Sequence, residues 1–163
     1  MSVKNYLAFF LFFLYATETF SDNDLKYLSL KNNKVNVRIA PSRTAPIKWI
    51  YEKKSFPVII IDQYYNWRKI KDFENDSGWV HISQLSRKRS VLFVKDEVLI
   101  FKKPTTYSRP IYKIGKLEVA VIKECSLNWC NVKNNLFSGW VEKNSLWGSV
   151  SYTHLTLPTI VDV

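Results

Sequence analysis

The stretch from Asn66-Trp67 through Gly78-Trp79-Val80 to Leu85 decides how this chain is read, because its pattern returns as Asn128-Trp129, Gly139-Trp140-Val141 and Leu146. Trp67 and Trp129 stand 62 positions apart, Gly78 and Gly139 61, Leu85 and Leu146 61, and Pro41 and Pro104 63. Duplication of one supersecondary unit leaves a near-constant period of this kind, with the slack taken up in loops. The chain therefore holds one module twice.

With 163 residues, two such units are each small enough to be marginal alone, and packing against each other would help them. An aromatic content of 15% with six tryptophans suits such packing. Four glycines and six prolines exclude collagen-like and low-complexity classes. The net charge of +10 would attract nucleic acid, anionic lipid or an acidic wall polymer. It is spread through both repeats, with short clusters at Lys53-Lys54, Arg87-Lys88-Arg89 and Lys102-Lys103, so a solvated basic surface is the plainer reading.

Lys4 precedes an almost unbroken apolar run from Tyr6 to Ala16. The run is too short to span a bilayer and has the order of a secretory signal peptide, assigned to residues 1–21. Cleavage after Ala16 or after Ser21 fits equally, and a buried N-terminal helix or strand is the alternative. Export to the periplasm or cell envelope follows from this reading, and it demotes nucleic acid as a partner.

Val35, Val37 and Ile39 alternate with Asn36 and Arg38, the period of a half-buried strand with Arg38 on its exposed face. Ile47 to Tyr51 is a second extended piece, Phe56 to Ile61 a central strand bounded by Asp62-Gln63, and Trp67 to Lys71 the next. A polar turn over Asp72 to Ser77 leads to a strand from Gly78 to Ile82, with Val80 and Ile82 on one face and Trp79 and His81 on the other. Ile70 is the core residue of the Trp67 strand. Gly78 is expected where a turn enters a strand because it permits φ values closed to other residues. Ser83-Gln84-Leu85 makes a short helical turn that returns Leu85 to the core. After a linker at Ser86 to Ser90, the order repeats: Val91–Val94, Val98–Phe101, Ile111-Tyr112, Leu117–Cys125, Trp129–Val132 and Gly139–Val141. The fold class is all-β, built from short strands.

Val35-Asn36-Val37-Arg38-Ile39-Ala40-Pro41-Ser42, Trp67-Arg68-Lys69-Ile70, Gly78-Trp79-Val80-His81 and Leu85 together resemble the bacterial Src-homology-3-like domain. The second unit, with Cys125, Trp129-Cys130 and Leu146-Trp147-Gly148, is similar to its partner in exported tandem proteins. The resemblance divides the chain into domains at 28–86 and 90–148. It implies two small, strongly bent barrels of five or six strands, acting as binding modules in the cell envelope and not as catalysts. Eukaryotic relatives bind proline-rich helices beside a tryptophan placed like Trp67, but the tyrosine-rich loop that goes with it is missing here, so that ligand is not carried over. In the second repeat Val98-Leu99-Ile100-Phe101 replaces Val35-Asn36-Val37-Arg38, so a site resting on those polar groups would exist in repeat one alone.

Residues 149–163 contain no Lys or Arg, and Tyr152-Thr153-His154-Leu155-Thr156-Leu157-Pro158-Thr159 resembles translated sequencing adapter. The tail reads as a replacement for a native C-terminus; a terminal strand is the alternative.

Cys125 and Cys130 flank a four-residue hairpin loop, and in an exported protein they read as a disulfide, with two free buried thiols as the other reading. Catalytic redox pairs have two residues between the cysteines and a helix after them. A structural zinc needs four ligands, which two cysteines and two histidines, one of them in the tail, do not convincingly supply. His81 reads as a surface histidine, and Glu74 and Asp76 as turn residues. No phosphate-binding loop or paired acid and base stands out, so neither a catalytic site, a metal nor a cofactor is expected. The candidate ligand-binding residues are Arg38, Tyr64, Tyr65, Trp67 and Trp79, since sugar rings and peptides dock on aromatic surfaces with a few polar contacts. The alternative is that these aromatics fill barrel ends and the inter-repeat contact. Expected partners are peptidoglycan or a peptide, or, in a structural or adaptor role, another envelope protein.

Overall fold

A computed structural model of the chain describes residues 26–148. The signal-peptide reading and the atypical tail both lie outside them. The first repeat has seven strands: β1 (Lys26–Leu30), β2 (Val35–Arg38), β3 (Ile47–Tyr51), β4 (Pro57–Tyr64), β5 (Trp67–Lys71), β6 (Ser77–His81) and β7 (Leu85–Ser86). The second answers with β8 (Ser90–Phe93), β9 (Glu97–Phe101), β10 (Pro110–Gly115), β11 (Val119–Cys125), β12 (Trp129–Lys133), β13 (Ser138–Glu142) and β14 (Leu146–Trp147). The sheet orders are β3-β2-β6-β5-β4-β1-β7 and β10-β9-β13-β12-β11-β8-β14, the same order once seven is added to each number. Two tandem all-β domains of SH3-like organisation result. Each counts seven strands, not five or six, because the two-residue pieces after the 3-10 turns at Ile82–Gln84 and Lys143–Ser145 pair back onto β1 and β8.

The strand pattern explains the burial. Val35, Val37, Val58, Ile70, Val80 and Leu85 gather in the first core, and Val98, Ile100, Ala120, Val132, Val141 and Leu146 hold the matching places in the second. Strand β8 is buried on both faces: Val91 and Phe93 enter the second core while Leu92 enters the first, joined there by Val119 and Trp147. The edge-on contacts of Trp147 with Tyr27, 5.5 Å between centroids, and with Phe73, 6.4 Å, extend this seam, and Ser29 Oγ donates to Lys88 O at 2.8 Å. The barrels thus share apolar surface, which two units this small need.

Four local expectations change. Ile39 is 57% exposed because β2 ends at Arg38 and the alternation ends with it. Ile82 is 42% exposed because it opens a 3-10 turn and no longer continues β6. Strand β4 runs past Asp62 and Gln63 to Tyr64, taking a bulge between Ile60 and Asp62; its equivalent lies between Ile122 and Glu124. Gly78 is needed for space, not for its dihedral angles. It lacks a positive φ, but a Cβ there would stand 2.4 Å from Val37 Cγ1. At Gly139 a Cβ would stand 2.6 Å from Ile100 Cγ2 and 2.8 Å from the Phe101 carbonyl oxygen.

Candidate functional site

The β4–β5 hairpin turns on Tyr65 and Asn66, with Tyr65 at φ 43°, and places Trp67 at the head of β5. The Asn66 carbonyl accepts from Ile82 N at 2.8 Å, which ties the hairpin tip to the 3-10 turn after β6. Across the β5–β6 ladder Trp67 faces His81, and their rings meet edge-on with centroids 5.4 Å apart. His81 Nδ1 accepts from the Ser83 amide at 3.3 Å and lies 2.7 Å from Ser83 Oγ, so the ring caps the turn and is held in place. On the other side of β6, Arg38 stands opposite Trp79 and donates from Nη1 to the Ala45 carbonyl, clasping the loop between β2 and β3.

These elements enclose an open groove of about 520 Å³, lined by Lys34, Asn36, Arg38 and Arg43 on one side and by Trp67, His81, Ser83 and Gln84 on the other. None of these side chains is acidic. Among the described residues the ion pairs are Lys53–Glu118 and Lys113–Glu97, so none of the three groove cations is neutralised by a carboxylate.

A second groove, about 500 Å³, lies at the corresponding place on the second barrel, beside Trp129 and lined by Pro104, Thr105, Thr106, Asn128, Glu142 and Lys143. The Asn128 carbonyl accepts from Lys143 N at 2.9 Å, as Asn66 does from Ile82. Register sets the counterparts. Glu142 faces Trp129 as His81 faces Trp67, Phe101 faces Trp140 as Arg38 faces Trp79, and Glu97 precedes Val98 as Lys34 precedes Val35. The Trp129 ring packs edge-on against Phe101, 5.5 Å between centroids. A larger cleft of about 550 Å³ between the barrels includes Lys53, Lys54, Ser55, Lys133 and Asn134, but Lys53 Nζ is already bonded to the Leu117 carbonyl at 2.7 Å.

Comparison with known families falls on both barrels. The bacterial SH3 domain matches residues 31–87 and again 94–148. The chain belongs to the bacterial SH3 domain family. No curated protein matches it. Among solved structures, NlpC1 from Trichomonas vaginalis is similar at 11% identity and TM-score 0.36, over 85% of this chain and 50% of that one. NlpC2 from the same organism is similar at 12% identity and TM-score 0.35, over 75% and 47%. The endolysin LysPBC5 CBD is similar at 16% identity and TM-score 0.30, over 74% and 90%. The chain spans about half the length of the two NlpC proteins.

Of the residues singled out in sequence, the first SH3 domain brings Arg38 and Trp67 into one groove. Trp79 is half-buried beside them, opposite both Arg38 and Lys69. Tyr64 and Tyr65 do not line the groove. They sit at the hairpin tip with rings edge-on at 4.8 Å, Tyr65 83% exposed. Cys125 and Cys130 are bonded across the β11–β12 hairpin of the second domain, at the positions where the first carries Gln63 and Arg68.

Sequence reasoning missed Lys34, Arg43, Ser83 and Gln84 as groove residues, named Asn36 only among the polar groups of its strand, and read His81 as an ordinary surface group. The repeat itself carried a signal for two of them: Lys34 and His81 become Glu97 and Glu142 one period later. Asp72 was missed in another sense. It is a turn residue, but only 6% exposed: Oδ2 accepts from the Tyr51 hydroxyl at 2.6 Å, and Oδ1 from the amides of Asp76, 2.9 Å, and Glu74, 3.1 Å. Burial, and then the hydrogen bond to this carboxylate, hold the Tyr51 phenol far above its ordinary value. In the second domain Ile114 and Asn134 take these places, and Asn134 Oδ1 accepts from Leu136 N and Phe137 N alone.

Proposed function

We propose that this chain is an exported, non-catalytic protein of the cell envelope whose first bacterial SH3 domain recognises peptidoglycan or a peptide in the groove beside Trp67. One observation carries the reading. A tryptophan held at a hairpin head, two arginines without a carboxylate partner and polar side chains converge on an open groove, as a ligand with apolar and polar parts requires. Membership of a family of binding modules supports it, and the order of charge and apolar residues before residue 22 supports export.

The test is co-sedimentation of the purified protein with isolated peptidoglycan sacculi across a salt series, beside Trp67→Ala and Trp129→Ala. Binding that survives high salt, falls at least tenfold in Trp67→Ala and is nearly unchanged in Trp129→Ala is the expected result. Loss of all binding by moderate salt would reduce the effect to the net charge of +10. No binding under any condition would favour an adaptor holding another envelope protein, to be sought by cross-linking.

A further inference from the structure

We infer that the groove of the first domain is a carboxylate site, taking the free carboxylate end of a peptide, and that the second domain has no such site. This rests on the reading above and names the chemical group recognised. Lys34, Arg38 and Arg43 bring three positive charges to one groove that no acidic side chain lines. Charges of one sign gathered in a cleft raise the local concentration of the opposite charge. Arg38 supplies geometry as well. Its Nη1 donor is committed to Ala45 O, so the side chain is held in place, and the remaining guanidinium donors can engage two carboxylate oxygens.

The other lining groups suit a peptide. Gln84 Oε1 already accepts from Asn32 Nδ2 at 2.7 Å, which leaves the Gln84 amide nitrogen to donate to a peptide carbonyl. Asn36 can both donate and accept, matching a peptide unit's carbonyl and amide. At the corresponding places the second domain has Glu97, Leu99, Phe101, Thr106 and Glu142. Two carboxylates and two apolar side chains there would repel or ignore an anion.

Calorimetric titration of the purified full chain tests this with one probe pair: a peptidoglycan stem tripeptide with a free C-terminal carboxylate and the same tripeptide as its C-terminal amide. The acid should bind at least tenfold more tightly than the amide. The double variant Lys34→Gln/Arg43→Gln changes two exposed side chains that support no packing, and it should lose that preference while keeping the parent's melting temperature. Glu142→Gln should leave the titration unchanged. Equal affinity for acid and amide would overturn the inference, as would a preference undiminished in the double variant, or inorganic phosphate displacing the acid at equal concentration. If sacculi still sediment the protein in those cases, wall binding stands without the carboxylate site. Acid-selective binding without sacculus binding would keep the site and remove the wall as its ligand.

Discussion

The two barrels carry the same strand order, the same bulge in the fourth strand and the same hydrogen bond from hairpin tip to 3-10 turn, yet the residues at corresponding outward positions differ in charge and polarity. Lys34, Arg38 and His81 in the first become Glu97, Phe101 and Glu142 in the second. Each of these positions is on the outward side of a strand, or in the case of Lys34 just before one, whose inward neighbours are unchanged in kind: Val35 and Val37 against Val98 and Ile100, Val80 against Val141. Packing therefore fixes one face of each strand and leaves the other open to diverge. After duplication, one copy can keep a binding face while the other turns to architecture. The second copy carries packing and a covalent link that the first lacks. It sends Leu92, Val119 and Trp147 into the first core and carries the disulfide.

If the frames are equivalent, the most damaging substitutions should fall at equivalent places and differ for a stated reason. Gly139→Ala should destabilise by about 3 kcal/mol and Gly78→Ala by about 2 kcal/mol, read from urea denaturation, since overpacking a filled site costs of this order. The ranking follows from what each Cβ would strike: the Phe101 backbone carbonyl as well as Ile100 at Gly139, chiefly the Val37 side chain at Gly78. A side chain yields more readily than a backbone. Val37→Ala combined with Gly78→Ala should therefore recover part of the loss, whereas Ile100→Ala combined with Gly139→Ala should recover little. The opposite ranking would break the claim that space governs both glycines.

The disulfide separates the copies next. Joining Cys125 to Cys130 closes a short loop, and in the chain-entropy model its loss costs about 2 kcal/mol. Reduction, or Cys125→Ala/Cys130→Ala, should lower the unfolding free energy by that amount and the urea midpoint in proportion. Leu92 and Val119 link the cores, so the first barrel should lose stability in the same transition. Two separated transitions after reduction would show that the seam does not couple the domains.

Much of this was legible in the residues. Strands β2, β3, β5 and β6 announce themselves by alternation or β-branched runs, and the period of about sixty positions fixed the duplication and the family. What stayed hidden has a common cause. Ile39 and Ile82 lie one residue past a strand end, where alternation carries no information. Arg43, Ser83 and Gln84 reach the groove from a loop and a 3-10 turn, whose spatial neighbours no periodicity encodes. Tyr64 and Tyr65 looked like site residues because they adjoin Trp67 in sequence, but the two-residue turn throws them to the hairpin tip, away from the groove. The reason for Gly78 was misread because crowding by Val37, 41 positions away, leaves no local mark.

The smallest expected effect concerns Tyr51 and Asp72. Their replacement in the second copy by Ile114 and Asn134 is a paired change, polar contact for apolar packing, within one chain. Tyr51→Phe removes the donor to Asp72 Oδ2 and leaves the carboxylate to its two backbone amides, which should cost about 1–2 kcal/mol at neutral pH. The pH dependence gives a sharper readout. The folded protein holds the phenol neutral well above the pH at which an unfolded tyrosine ionises, near 10. The unfolded chain therefore releases this proton first as pH rises, and stability gained from the neutral phenol is complete below about pH 10 and is lost progressively above it. Wild-type denaturation midpoints should fall more steeply above pH 10 than those of Tyr51→Phe, so that the two curves converge. Ile114 has no proton to lose, so Ile114→Val should change the midpoint without changing its alkaline slope; parallel wild-type and Tyr51→Phe curves would remove Tyr51 as the alkaline weak point of the first barrel.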